Sequence, residues 1–378
     1  MPARDPRLST KLRLAPTRYE PIERLAVGGM AEVWRADAIF ETGDRAPVAI
    51  KRVLPQLAAN QLYRSMFEDE ARLGMLLRHP SIVRVYDARD IRGTYIMVME
   101  LVDGSSLRSM LGRAHARRAG MPVAAALHIV REVAQALDYA HTAADQTGKP
   151  LGIIHRDVSP HNVLLGRDGA VKLADFGLAN ASVHVTEKSP GVVGGKLGYL
   201  APEVVLRKPA TARADVFAAG IVLWEALAGR RLFAGADDAE TVRNVARCQV
   251  EPPSKLNSAV PKAVDFLLER ILARDPELRI PSARALHDEI NDVLDRLKTN
   301  AGTRDIALLV GLHLATERQR MPADANREVA AALMSELDAF AEQAAGSQYD
   351  VGALPLDPSE FDGIVPTRFA RFRPPKPE

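Results

Sequence analysis

From Tyr19 onward, apolar and polar positions fall into short alternating blocks separated by turn residues. Ile22 to Val27, Glu32 to Ala38 and Pro47 to Val53 read as three strands, joined by Gly28-Gly29 and by Thr42-Gly43-Asp44. The period then lengthens to that of a helix over Leu62 to Leu77. His79-Pro80 closes it, because the residue before a proline is pushed out of the helical region. Ile82 to Asp87 and Thr94 to Leu101 return to strand spacing, which predicts a five-stranded sheet with one helix on it. Past Val102-Asp103-Gly104 the pattern is helical. Pro122 suits a first helical turn ahead of the apolar face Val123, Leu127, Val130, Ala134, Leu137 and His141. Asp145 to Pro150 reads as a loop, and Ala212 to Ala228, Lys262 to Leu272 and Ser282 to Leu297 as helices. Two more helices fit Thr303 to Ala315, with Thr303 as cap, and Asn326 to Ala341. A β-rich part followed by a larger helical part makes the fold class α+β.

Composition narrows this picture. The 378 residues are 47% hydrophobic and 26% charged, enough apolar material for a globular core. A net charge of +2 argues against a nucleic-acid binder, whose domains carry a concentrated basic surplus. The lone Cys248 excludes an internal disulfide framework and a cysteine-based zinc site, and makes a reducing cytoplasm the natural compartment. No run approaches the ~20 apolar residues of a membrane span, the best candidate, Ala218 to Leu227, being interrupted by Glu225. The N-terminus has charges but no apolar stretch of signal-peptide type. Residues 1–18 read as a flexible basic tail and 344–378 as a proline-containing, disordered tail. In the latter, Phe369 and Phe372 among arginines fit either a docking peptide or plain disorder.

The chemistry concentrates in Ile153 to Leu165, IIHRDVSPHNVLL. Asp157 precedes Asn162 by five residues, so one carboxylate can meet a substrate hydroxyl while one amide oxygen holds a metal, as phosphoryl transfer requires. Upstream lie a small-residue loop, Leu25 to Val33, and Val48-Ala49-Ile50-Lys51; downstream lie Asp175-Phe176-Gly177 and Ala201-Pro202-Glu203. In this order the motifs resemble those of the protein kinase family, specifically its bacterial (Hanks-type) serine/threonine members, from about Tyr19 to Leu297.

That resemblance implies a kinase domain over 19–298, with a small lobe 19–101 and a large lobe 104–298. A helical extension, 299–343, follows. Leu25, Ala26, Val27, Gly28, Gly29, Met30, Ala31, Glu32 and Val33 would cover ATP, although two of the family's three loop glycines are here Ala26 and Ala31. Lys51 would bind the α- and β-phosphates with Glu70 as its partner. Ala49, Met99, Leu164 and the backbone of Glu100 and Val102 would surround adenine, with Ser106 near the ribose. Asp175 and Asn162 would hold Mg²⁺, or Mn²⁺, and Asp157 would meet the substrate hydroxyl. Glu203 should pair with Arg279, and Asp215 should support the catalytic loop. His128 and His141 are expected to be structural.

Three departures from the family pattern carry expectations of their own. Ser159 stands where these kinases place a lysine, and Lys196 where they place a threonine. The two appear as an exchange, in which Lys196 reaches Asp157 and the γ-phosphate while Ser159 takes the small polar role. Gly74 occupies a position usually apolar, a feature that would loosen its helix. Arg156 beside Asp157 implies an anion on the activation segment, with Thr186 ahead of Ser182 and Ser189 as its source. The implied activity is transfer of phosphoryl to protein hydroxyls, the chain's own included. The alternative is a nucleotide-binding pseudokinase scaffold; tyrosine specificity and a small-molecule phosphotransferase fit less well. Residues 299–378 are the expected place for a regulatory partner.

Overall fold

The computed structural model describes residues 16–91, 93–117, 120–145, 147–176, 196–299, 301–317 and 327–346. Five strands open the chain: β1 (Arg18–Val27), β2 (Ala31–Ile39), β3 (Arg45–Val53), β4 (Val85–Ile91) and β5 (Thr94–Glu100), with α1 (Gln61–Leu76) between β3 and β4. All neighbouring pairs are antiparallel, in the order β1-β2-β3-β5-β4. The first strand begins four residues earlier than its apolar run suggests. The added residues Arg18 to Pro21 pair with Ala36 to Ile39, which backbone hydrogen bonding permits whatever the side chains.

The large lobe starts with β6 (Gly104–Ser106), α2 (Leu107–Arg117) and α3 (Val123–His141). The hairpin β7 (Val163–Gly166) and β8 (Val171–Leu173) follows. Then come α4 (Pro202–Val205), α5 (Ala212–Ala228), α6 (Asp238–Arg247), α7 (Lys262–Ile271) and α8 (Ala283–Arg296). Pro122 stands one place before the first turn of α3, with extended backbone at φ −52 and ψ 131. Almost all of α5 is buried, which explains its apolar character on every side. It ends at Gly229, whose φ of 64 is the left-handed stop that glycine supplies without strain. The core of this lobe joins α3, α5, α7 and α8 through Leu127, Val130, Phe217, Leu223, Leu268 and Ile290.

Beyond Lys298, α9 (Thr303–Glu317) and α10 (Arg327–Gly346) pack on different lobes. Ile306 and Val310 of α9 enter the large-lobe core. The turn between β7 and β8 admits the start of α9 only because residue 169 is glycine: φ is +87, and a Cβ there would fall 1.7 Å from the carbonyl oxygen of Thr303. Leu333, Leu337, Phe340 and Ala341 of α10 instead join Tyr19, Trp34, Val48, Ile50 and Tyr86 on the sheet. Tyr19 and Phe340 meet edge to face, with ring centres 5.6 Å apart. The sheet is thus covered by α1 on one side and α10 on the other. Residues 48 to 53 of β3 are therefore buried on both faces, the charged Lys51 and Arg52 included.

Candidate active site

The two lobes meet around an apolar slot. Val33 and Ala49 from above, Met99 and Val102 at the linker, and Leu164 and Ala174 from below share one cluster. Above it, Leu25 to Gly29 are exposed and Met30 and Ala31 half-buried, and the turn is closed by the Gly28 N–H donating to the Ala31 carbonyl at 2.8 Å. Leu25 and Val27 are 49% and 57% exposed. Glu32 departs from the nucleotide-contact set expected of this loop. It is buried, Arg52 donates to it at 3.1 Å, and Arg24 lies 3.6 Å away. Strand alternation puts it on the face of Trp34 and Ala36, away from Val33.

Lys51 lies opposite Val33 in the β2–β3 register. Its ammonium donates to Glu70 Oε1 at 2.5 Å and to Asp175 Oδ1 at 2.9 Å. Burial works against the Lys51 charge, but the two carboxylates outweigh it and hold its pKa above the usual lysine range. For Asp175 burial pushes upward, and Lys51 beside it brings the carboxyl down to about 2. Burial raises Glu70, an effect its lysine offsets only in part. Gly74, one turn beyond Glu70, lets α1 approach the sheet: a Cβ there would lie 2.3 Å from Val85 Cγ2. At the glycine expected to loosen this helix, α1 lies directly against Val85.

Below the slot, Asp215 holds the catalytic loop by its backbone. It accepts from the His155 N–H at 2.8 Å and the Arg156 N–H at 2.7 Å, with His141 Nε2 at 2.8 Å from the same carboxylate. Arg156 and Asp175 both have φ of 62, left-handed conformations that a non-glycine residue reaches at some cost and that gather at functional sites. His155 is fully buried against the Phe176 ring, 4.4 Å centre to centre, with Nε2 3.0 Å from the Ala174 carbonyl. Burial lowers its pKa and keeps it neutral.

Asn162 Nδ2 donates both to the Asp157 carbonyl at 2.8 Å and to Asp157 Oδ2 at 2.9 Å. Its amide nitrogen being so used, its amide oxygen is the atom left to face a cation. With the ionised Asp175 this makes a pair of hard oxygen donors, the chemistry magnesium prefers. Lys196 Nζ donates to Asp157 Oδ2 at 2.5 Å. Ser159 is buried, and its hydroxyl has no hydrogen-bond partner among the described residues. Ser106 spends its hydroxyl oxygen on the Ser109 N–H, at the start of α2. The Glu100 carboxylate is held by Lys172 at 2.8 Å and by the Arg84 N–H at 3.2 Å. Gly177, Ser182, Thr186 and Ser189 lie outside the described residues.

Glu203 and Arg279 form a two-pronged pair, 2.8 Å at each prong, and the guanidinium also donates to the carbonyls of Ala273, Arg213 and Arg274. A second anchor was missed by motif reading. Buried Glu225 of α5 accepts from Tyr199 Oη at 2.7 Å, Arg231 Nε at 3.2 Å and the Leu232 N–H at 3.1 Å. A lone acid inside the most apolar helix was the available signal, since such a charge demands partners.

A β-rich small lobe, a helical large lobe and a lysine–carboxylate cleft between them define the class as a bilobed, nucleotide-dependent phosphotransferase fold. The chain belongs to the protein kinase family: the family's protein kinase domain matches residues 19–290. It is 34% identical over 308 residues to the tyrosine-protein kinase MasK of Myxococcus xanthus, covering 80% of this chain and 48% of that one. To the serine/threonine-protein kinase PksC of Streptomyces coelicolor it is 36% identical over 287 residues, covering 73% and 49%. PrkC of Bacillus subtilis, a serine/threonine-protein kinase, is 33% identical over 290 residues, covering 75% and 41%. The chain spans about half the length of the curated relatives it matches. Among solved structures, the kinase domain of Mycobacterium tuberculosis PknI superposes with a TM-score of 0.54 at 28% identity, over 74% of this chain and 97% of that one. Among the described residues, no helix is long and apolar enough to cross a membrane.

Proposed function

We propose that this chain transfers the γ-phosphoryl of ATP to serine or threonine hydroxyls of proteins, itself included. The observation that carries this reading is Lys51 held between Glu70 and Asp175, 2.5 and 2.9 Å away. That arrangement joins α1, β3 and the start of the activation segment in the geometry phosphate binding needs. Val33, Ala49, Met99 and Leu164 would enclose the purine, and the turn that the Gly28 N–H closes would cover the phosphates with its remaining backbone N–H groups. Asp175 and Asn162 would hold Mg²⁺ or Mn²⁺, which neutralises charge on the transferring group. Asp157 accepts the proton of the incoming hydroxyl or orients it, and Lys196, already on that carboxylate, reaches the phosphoryl oxygens. The relatives PksC and PrkC support the choice of serine and threonine. The reading further makes Thr186 the first activating phosphosite, and ATP and a single free thiol suit the cytoplasm.

One observation favours a second reading, since the relative whose match covers 80% of this chain is named a tyrosine kinase. Incubation with radiolabelled ATP and Mg²⁺, with and without a generic protein substrate, followed by phosphoamino-acid analysis, separates the two. Phosphoserine and phosphothreonine are expected from the wild type and none from Asp157→Asn. Phosphotyrosine alone would establish the second reading, and no label at all would make the chain a nucleotide-binding scaffold.

A further inference from the structure

Arg52 follows Lys51 on β3, so its side chain points to the sheet face opposite the cleft. It is 5% exposed, and its guanidinium donates to Glu32 Oε1 at 3.1 Å and to Glu336 Oε1 of α10 at 2.5 Å. Glu32 is the register partner of Arg52 and stands three residues after Gly29. Arg24, 3.6 Å from Glu32 Oε2, lies over the Trp34 ring at 5.9 Å. Arg24, Glu32, Arg52 and Glu336 therefore alternate in sign. The first three belong to the strands that carry the phosphate-covering turn and Lys51; the fourth comes from 284 residues after Arg52.

The face's other charges, Arg89 and Asp87, pair with each other at 2.8 Å, so without Glu336 this cluster would hold two arginines and one carboxylate. A buried guanidinium is tolerated only when opposite charge compensates its lost hydration, so Arg52 would draw Glu32 away from Arg24. Glu32 lies in the second position of β2, directly behind the turn, and any shift of it moves the backbone N–H groups that would face phosphate. Apolar packing by Leu333, Leu337 and Phe340 can hold α10 against the sheet but cannot replace this charge.

We propose that Glu336 is a positioning residue for the nucleotide: by completing the charge balance behind β2 and β3, it fixes the phosphate-covering turn, so that α10 sets nucleotide affinity from outside the cleft. This rests on the reading of the cleft as a Mg-ATP site. Glu336 touches neither nucleotide nor substrate.

The test uses the full chain and measures KM for ATP, kcat, the Kd for Mg-ADP and Tm. Glu336→Gln is expected to raise KM and Kd about 3- to 10-fold, in the range of one ordinary hydrogen bond, with the effect falling on KM rather than kcat. Glu336→Asp, which keeps the charge, should recover most of the affinity. The double variant Arg52→Met/Glu336→Met removes one charge of each sign, leaves Arg24 balanced by Glu32, and should bind close to wild type. A fall in Tm with KM and Kd unchanged would make Glu336 merely structural and overturn the proposal, as would a double variant weaker than Glu336→Gln. A wild-type chain that binds no Mg-ADP would overturn the reading of the cleft and the proposal with it. A wild-type chain that binds while Glu336→Gln binds equally overturns the proposal alone.

Discussion

At the scale of single residues, the cleft is an economy of charges, and Lys196 is its least conventional member. Its ammonium sits on Asp157 where the catalytic loop itself offers only Ser159, whose hydroxyl is buried. Lys196→Ala is expected to lower kcat about 10²-fold, the usual effect of removing one group that stabilises transition-state charge. A variant as active as wild type would reduce the ion pair to a surface contact. Histidines give the pH dependence. Burial lowers the pKa of His155, and burial with nearby Arg108 and Lys196 brings His161 down to about 4. In the unfolded chain both take a proton near ~6.5. Between that pH and the folded values the unfolded state binds more protons, so stability is complete above ~6.5 and is lost as pH falls toward 4. Urea midpoints from pH 8 to 4.5 should show this decline, and His161→Asn should flatten part of it. That Lys51 meets Glu70 and Asp175, and Asp157 meets Asn162, was readable through the motifs' resemblance to the family. The role of Glu32 was half readable: alternation puts it on the Trp34 side, but nothing local announces a partner 284 residues beyond Arg52.

At the scale of elements, strongly periodic segments were legible and polar ones were not. The sequence pattern locates α5 within its observed bounds, whereas α6 escapes it because only its Val242 and Val245 are large and apolar. Its cap was nonetheless written in the chain: Asp237 accepts from the Glu240 N–H at 2.6 Å, and Glu240 returns to the Ala236 N–H at 2.6 Å. Docking of helices was invisible to periodicity, since an apolar stripe does not name the surface it meets. That docking makes two predictions. Phe340→Ala should destabilise the protein by about 3–5 kcal/mol, as loss of a fully buried aromatic ring does, read as a lower midpoint in chemical denaturation. Arg279→Met should cost about 3–5 kcal/mol by leaving Glu203 buried without its counter-ion. The same measurement checks both, and a change under ~1 kcal/mol would refute either assignment.

Over the whole molecule both lobes carry helices from beyond Lys298. The chain passes from small to large lobe through Glu100 to Asp103, and α9 and α10 rest on the large and small lobe in turn. Removing residues 300–378 should uncover the Tyr19, Trp34 and Phe40 face of the sheet. We expect such a chain to bind a hydrophobic dye and to sediment as larger species, while an intact monomeric product would show that α10 is dispensable. Sequence made the two lobes plain, because their textures differ, but not the return of the last helix to the first strand.

The Tyr19–Phe340 contact has a consequence in time. A ribosome finishes β5 long before it begins α10, and at about 5–20 residues per second the interval for some 227 residues is roughly 11–45 s. Throughout it, the outer face of the small lobe has no cover of its own. The first strands made are among the last to be completed, so newly made chains should lean on chaperones during synthesis, and the nucleotide cleft should mature only when the end of the chain arrives.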